Sequence, residues 1–222
     1  MGGSSGFPID LVLFGMIAAF LVLRLRSILG KRTGYEHPPK PYVAPEIAAR
    51  GPVIDGRAEP APAPVSRTLP DPASPAGQAL LRMQGVDRNF APGGFLDGAE
   101  KAFRMIVTAF ASGDRTTLRN LLSPETFGAF DGAISAREAA GHRQRTEIRA
   151  IPSATVAEAA LNGTVATITV RFVSDQISLT VDANQNPVAG TDAVTEIVDL
   201  WSFERDLSKP DPIWRLISAR SA

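Results

Sequence analysis

The sequence predicts an α+β protein in which three or four helices pack on a twisted antiparallel sheet, preceded by a transmembrane helix and a proline-rich linker. Three observations support this prediction. An uncharged apolar run occupies residues 11–23, eleven of the eighteen prolines fall between Pro38 and Pro75, and the spacing of apolar residues changes from helical to alternating near Arg145. Helical segments followed by a run of strands are typical of α+β domains.

The apolar run predicts a membrane anchor within residues 1–32. Nine of its side chains together contribute about 3 to 5 kcal/mol of insertion free energy; they are Leu11, Val12, Leu13, Phe14, Ile17, Phe20, Leu21, Val22 and Leu23. A hydrocarbon core of about 30 Å requires about twenty helical residues, so we expect the helix to extend from about Phe7 to Leu29. The alternatives are a cleaved signal peptide, which needs basic residues ahead of the run, and a buried soluble helix.

The basic residues next to the run predict its orientation. Arg24, Arg26, Lys31 and Arg32 all follow it, and no basic residue precedes it. Because basic flanks stay on the cytoplasmic side, we expect the short N-terminal tail outside and the rest of the chain inside.

Residues 33–75 predict a disordered tether rich in proline and alanine. They contain few core-forming side chains and no apolar period, so folding cannot offset their ordering entropy. A semi-rigid spacer is the simplest interpretation, and docking into an aromatic groove of a partner is the alternative.

Residues 76–222 predict one domain that begins with helices. The first helix is expected at 76–89, and a breaker at 91–94 precedes an amphipathic helix that ends at Ser112-Gly113. Asp114 is expected to cap a short helix, and Ser123-Pro124-Glu125 is typical of the start of another.

The second half of the domain predicts strands. Asn162-Gly163 between two alternating segments indicates a hairpin. In the strand that follows, one face of the sheet is expected to pack and the other to meet water. The two faces carry Ala166, Ile168, Val170 and Phe172 on one side and Val165, Thr167, Thr169 and Arg171 on the other. The predicted strands are 145–151, 155–161, 164–174, 176–181, 194–205 and 213–219.

The composition argues against several classes of function. The net charge is zero, which gives no general attraction to nucleic acid, and there is no cysteine and only two histidines. We find no catalytic constellation, no metal site and no phosphate-binding loop, so we expect no enzymatic activity, no metal and no cofactor. Among the carboxylates Asp192, Glu196 and Asp199, we expect Asp199 to be the candidate for burial, because it alternates with Leu200 and Trp201 in a strand expected to be half-buried.

One local patch is basic. Arg143, Arg145 and Arg149 are opposed by the single acidic residue Glu147. The patch is consistent with contact to anionic lipid, worth about 1 kcal/mol per basic residue. The alternative is an edge strand protected by charge.

Five blocks in order resemble the C-terminal domain of the Tim44 family, whose mitochondrial member is the peripheral membrane anchor of the import motor. The resemblance covers about residues 76–222. The blocks are residues 95–114 (FLDGAEKAFRMIVTAFASGD), 121–125 (LLSPE), 170–177 (VRFVSDQI), 198–205 (VDLWSFER) and 214–217 (WRLI).

The resemblance implies a cone of helices over an antiparallel sheet, related to the nuclear-transport-factor-two-like shape, that lies near a membrane and contacts acidic lipid. It implies no catalysis. The long N-terminal region with which the mitochondrial member binds the import channel and a chaperone is replaced here by the apolar run and the tether, so the motor-recruiting role does not carry over. No arginine-rich transit peptide is present, which favours a bacterial inner membrane.

The leading hypothesis is therefore an inner-membrane-anchored, cytoplasm-facing scaffold that assists translocation, insertion or assembly of membrane proteins. Its expected partners are the membrane, anionic lipid and subunits of a translocase, an insertase or a membrane complex. A carrier of lipid or of an apolar small molecule is the alternative, and a role near the ribosome rests on analogy with a ribosomal relative. An isomerase-type or dehydratase-type enzyme would need an acid or base inside the cone.

Overall fold

The computed structural model describes residues 66–222, so the predicted anchor, its basic flank and the tether up to residue 65 lie outside the described residues. No helix in the described range is long and apolar enough to cross a bilayer. The elements, in chain order, are β1 (Ser66–Thr68), α1 (Pro75–Val86), α2 (Pro92–Ser112), α3 (Arg115–Leu121), α4 (Pro124–Ala139), β2 (Arg143–Asn162), β3 (Val165–Val181), β4 (Pro187–Asp206) and β5 (Arg215–Ser221).

The third and fourth helices begin where the local sequence predicts, whereas α1 ends at Val86, three residues before the predicted end. The Asp114 carboxylate accepts the backbone N–H groups of Thr116 and Thr117 at 3.1 and 3.0 Å, and the Ser123 hydroxyl accepts that of Thr126 at 3.2 Å. Gly113, with φ of 76°, ends α2 in the left-handed conformation that glycine adopts at low cost. The predicted breaker at 91–94 lies partly inside α2, because Pro92 begins the helix at a position where its missing N–H costs nothing.

The sheet has fewer and longer strands than predicted. The predicted strands 145–151 and 155–161 are one strand, β2, and 164–174 and 176–181 are also one strand, β3. Register shifts in β2 near Ala150 and Ser153 accommodate Pro152, since a bulge tolerates a residue without an N–H. The predicted hairpin is confirmed: Asn162 pairs with Val165, and Gly163 has a positive φ of 60°.

The sheet is mixed, which corrects the prediction of a purely antiparallel sheet. The strand order is β1-β2-β3-β4-β5, and β1 runs parallel to β2 through Ser66, Arg67 and Thr68. This strand lies in the segment assigned to the tether, so the tether prediction extends too far toward Pro75. The three residues of β1 are exposed and polar, and they therefore produce no apolar alternation.

The core lies between the helices and one face of the sheet, which we call the inner face. Ala166, Ile168, Val170 and Phe172 are fully buried there, so theirs is the face of β3 that packs. Phe103 of α2 is also fully buried against this face. Burial of each large apolar side chain stabilises the fold by about 1.5 to 3 kcal/mol, so this layer fixes the helices on the sheet.

Candidate functional site

The predicted basic patch lies on an exposed edge of the sheet. Arg143, Arg145 and Arg149 are exposed on the first half of β2. This half pairs with β3 alone among the described strands, since β1 reaches only residues 153–155 of β2. An exposed basic edge is compatible with both predicted interpretations, lipid contact and protection of the edge by charge.

Glu147 neutralises part of this patch. Its carboxylate lies 2.9 Å from the Arg149 guanidinium and 3.5 Å from that of Arg145, whose side chain is 70% exposed. Arg143 makes no ion pair with any residue of the described range. Exposed pairs of this kind contribute about 0 to 1 kcal/mol, so the arginines remain available to an anionic surface.

Aromatic side chains occupy the space between α2 and the inner face. The Phe103 ring stacks on Phe172 and contacts Trp201, with both centroid distances 4.6 Å. Nearer the start of α2, the Phe95 ring contacts the Trp214 ring, with 4.7 Å between the ring centroids. Trp201 is buried in the core, and Trp214 packs against it. These rings occupy the space between α2 and the sheet, where the alternative function, a carrier of lipid or of an apolar small molecule, would hold its ligand.

A band of uncharged polar side chains continues the inner face beyond Phe172. Ser174, Gln176 and Ser178 are all buried, and the Gln176 amide donates to the Ser174 hydroxyl at 2.8 Å. The Ser178 hydroxyl lies 3.2 Å from that of Thr146, to which the Gln144 amide donates at 3.3 Å. The band therefore links β2 and β3 by side-chain hydrogen bonds.

Arg137 of α4 joins this band to the end of α2. Its guanidinium donates to the Gln144 amide oxygen, to the Phe110 carbonyl at 2.7 Å and to the Ala111 carbonyl at 3.2 Å. Burial lowers the pKa of Arg137 from its usual value. This band is not predicted from the sequence, because its alternating residues are serine and glutamine and give no apolar alternation.

Asp199 is buried on the inner face, with 5% of its surface exposed. It pairs in register with Phe172 on one side and with Ser221 on the other. The other two carboxylates considered with it, Asp192 and Glu196, are exposed. Asp199 is thus the only one of these three carboxylates that is buried.

The surface of residues 66–222 includes two open hollows that are not lined by Asp199. One, of 340 Å³, lies beside α2 and α3 and is lined in part by Arg104, Met105 and Asp114. The other, of 440 Å³, lies between the segment that precedes α1 and the β2 residues Ala157 to Ala159. The first is bordered by charged side chains and the second by prolines, alanines and two carboxylates.

The start of the described chain is held by ion pairs to α2. The Arg67 guanidinium lies 2.8 Å from Asp97 and 2.9 Å from Glu100, and Arg104 reaches the same Glu100 carboxylate at 3.2 Å. Glu100 is 8% exposed. A nearly buried carboxylate is costly to leave without a cation, so loss of these arginines should destabilise this contact more than loss of an exposed pair would.

A family model of the Tim44-like domain matches residues 76–221, and this match includes the basic patch, the polar band and Asp199. The chain belongs to the Tim44-like domain family. All five blocks on which the resemblance rested lie within the matched residues. The comparison with curated proteins gave no match.

Three solved structures are similar to this Tim44-like chain at low identity. The intermembrane space region of the chloroplast protein ARC6 is 12% identical, with a TM-score of 0.41, over 56% of this chain and 94% of that one. An NTF2-like family protein from Streptomyces avermitilis is 16% identical, with a TM-score of 0.37, over 59% and 97%. TsrD from Streptomyces laurentii is 12% identical, with a TM-score of 0.26, over 55% and 87%. All three scores lie below 0.5, so they add nothing to the assignment.

Membership in the Tim44-like family indicates a scaffold or binding role. Within residues 66–222, no cluster of three or more histidine or acidic side chains is placed to hold a metal ion. The basic edge of β2 and the outer face of the sheet, which is the face opposite the helices, are two surfaces of the domain with exposed charged side chains.

Proposed function

We propose that this Tim44-like protein is a non-catalytic scaffold, anchored in a bacterial inner membrane with its folded domain in the cytoplasm. In this proposal it assists translocation, insertion or complex assembly of membrane proteins. Membership in the Tim44-like family over residues 76–221 carries the proposal. The apolar run at residues 11–23 with its basic flank supports the anchor, and the exposed arginines of β2 support contact with anionic lipid.

The topology can be tested with single cysteines, because the natural chain has none. Ser4→Cys and Ala222→Cys place one thiol near each terminus. In intact spheroplasts, a membrane-impermeant maleimide should label Ser4→Cys alone, and both variants should react after lysis. Labelling of Ala222→Cys in intact spheroplasts would contradict the proposed orientation.

Lipid contact can be tested by hydrogen exchange on the full chain in nanodiscs. Anionic lipid should slow exchange in residues 143–150 relative to neutral lipid, and the triple variant Arg143→Glu/Arg145→Glu/Arg149→Glu should lose this protection. The matched control, Arg82→Glu/Arg88→Glu/Arg119→Glu, makes the same change of charge on the helical side and should keep it. Equal exchange in both lipids would remove the lipid contact from the proposal.

The client can be sought by crosslinking in native membranes. A photoreactive residue at position 145 and another at position 119 should both recover subunits of a translocase, an insertase or a membrane complex. Recovery of no such subunit from either position would overturn the scaffold proposal.

A further inference from the structure

The outer face of the sheet carries a compact patch of charged and apolar side chains around two valines. Val173 of β3 and Val198 of β4 are directly paired in register and half-buried. On one side of this valine row, two residues away along the strands, Arg171, Leu200 and Arg220 form a basic row. On the other side, also two residues away, Asp175 and Glu196 form an acidic row. We call these residues the outer patch: Arg171, Val173, Asp175, Glu196, Val198, Leu200 and Arg220.

The acidic row is electrostatically unfavourable within one molecule. Asp175 and Glu196 lie directly opposite each other on neighbouring antiparallel strands. Like charges in this position destabilise a sheet by about 0.2 to 1 kcal/mol. Neither carboxylate makes an ion pair with any residue from 66 to 222. A cation from outside the molecule would relieve this repulsion.

The basic row is its counterpart. Leu200 pairs with Arg171 on one side and with Arg220 on the other, so two arginines flank one leucine. Both arginines are exposed, and neither makes an ion pair within the described part of the chain. The outer patch therefore carries two unpaired positive and two unpaired negative charges on opposite sides of an apolar row.

This arrangement is self-complementary for one orientation of a second copy. Consider two copies whose sheets stack face to face, with a two-fold axis between them. If this axis runs across the strands and passes over the valine row, the strands of the second copy run in the opposite direction to those of the first. Each basic row then faces the other copy's acidic row, and Val173 and Val198 face their own counterparts. An axis parallel to the strands would instead set arginine against arginine. Sheets stack about 10 Å apart, a distance that these side chains span.

We infer that the outer patch is an isologous dimer interface whose occupant is a second copy of this chain. Such an interface requires one surface to complement itself, and the two oppositely charged rows about the valine row do so. The inference does not depend on the anchor, the lipid contact or a client, and it can hold or fail independently of the proposed function.

The test uses two variants of the full chain in detergent. Arg171→Glu/Arg220→Glu makes the outer patch entirely acidic, and Asp175→Arg/Glu196→Arg makes it entirely basic. In sedimentation velocity, each variant alone should self-associate at least about tenfold more weakly than the natural chain. An equimolar mixture should restore the dimer, because every facing pair is then opposite in charge. If the mixture stays monomeric while both variants keep the natural circular dichroism spectrum, the inference is overturned.

A crosslinking measurement checks the geometry without changing any charge. Val198→Cys places one thiol of each copy close to the two-fold axis, and a short bismaleimide should join the two copies. Leu81→Cys, on the exposed side of α1, is the matched control and should give at least about tenfold less crosslinked dimer. Equal crosslinking of the two variants, or none with Val198→Cys, would contradict the proposed interface.

Discussion

At the scale of single residues, Phe103 connects the helical layer to the sheet. Its ring stacks on Phe172 and contacts Trp201, and none of it is exposed. A side chain with two aromatic partners contributes packing beyond its area of burial. Phe103 is therefore the residue at which loss of side-chain volume should affect the largest part of the core.

Phe103→Ala should lower the free energy of unfolding by about 3 to 5 kcal/mol, because it removes buried surface and leaves a void. Urea denaturation of the purified chain measures this change. Met105→Ala is the control on the same helix, since Met105 is 47% exposed and its truncation should change stability little. A loss of less than about 1 kcal/mol for Phe103→Ala would show that the ring layer is not packed as described.

Asp206 and Asp182, which lie at turns, should make the stability of the fold depend on pH. Hydrogen bonds from the Ser208 and Thr164 side chains hold the pKa of Asp206 well below its usual range, and the Asn186 backbone N–H and side-chain amide lower that of Asp182. A lowered pKa in the folded state means that the folded chain binds fewer protons than the unfolded chain. The stabilisation is therefore present above about pH 4 and is lost as the pH falls through the folded-state pKa.

Asp206→Asn should reduce stability near neutral pH, and its difference from the natural chain should shrink as the pH falls below about 4. Urea denaturation at a series of pH values measures this. Asp192→Asn is the control, because no hydrogen bond to that exposed carboxylate is described. A difference that is constant down to the lowest pH would contradict the assigned role of the Asp206 hydrogen bonds.

At the scale of elements, the β3–β4 pairing depends on Gly190. Its φ is 79°, and a Cβ atom added there would lie 2.1 Å from the Ser178 carbonyl oxygen. The backbones approach closely at this point because the register shifts between Gln176 and Ser178. Only a residue without a side chain fits this conformation and this distance.

Gly190→Ala should destabilise the protein by more than the 1 to 2 kcal/mol or so that the left-handed backbone costs, because the carbonyl contact must also open. Gly132→Ala is the control, and it should change the free energy of unfolding in the opposite direction. Gly132 lies within α4 with no atom near its added Cβ, so alanine should stabilise by about 0.5 to 1 kcal/mol. Equal effects of the two substitutions in urea denaturation would argue against the close approach.

The elements that the sequence predicts well are those determined by short-range chemistry. Ser123, Asp114 and the turn at Gly163 each act within four residues, and all three lie where expected. Strand β1 was missed because its pairing partner is far along the chain and its side chains are exposed. The polar band was missed because its residues are polar, so they give no apolar alternation, and hydrogen bonds satisfy their buried polar groups.

The candidate site also contains features that the sequence predicts and features that it does not. Exposure of the three arginines of β2 follows from charge, and burial of Asp199 follows from its alternation with Trp201. The outer patch depends on the register between β3, β4 and β5, which residue types alone do not determine.

At the scale of the whole molecule, β1 and Arg67 join the N-terminal segment to the domain. Arg67→Ala removes the ion pairs to Asp97 and Glu100 and should release β1 from the edge of β2. Hydrogen exchange should then accelerate in residues 66–68 and 153–155 while β3 stays protected. Arg82→Ala, which removes an exposed arginine of α1, should leave exchange in both segments unchanged. Unchanged exchange in Arg67→Ala would show that the ion pairs do not hold β1.

The position of β1 also has a mechanical consequence. If the N-terminal segment is held in a bilayer, as proposed, tension between membrane and domain enters the fold at Ser66. None of the three β1 residues belongs to the core, so the strand can peel away while α1 to β5 keep their buried contacts. Under tension, β1 would detach from β2 before the core unfolds. Its release would lengthen the connection by a few residues and lower the force, and the strand would pair again when the tension falls.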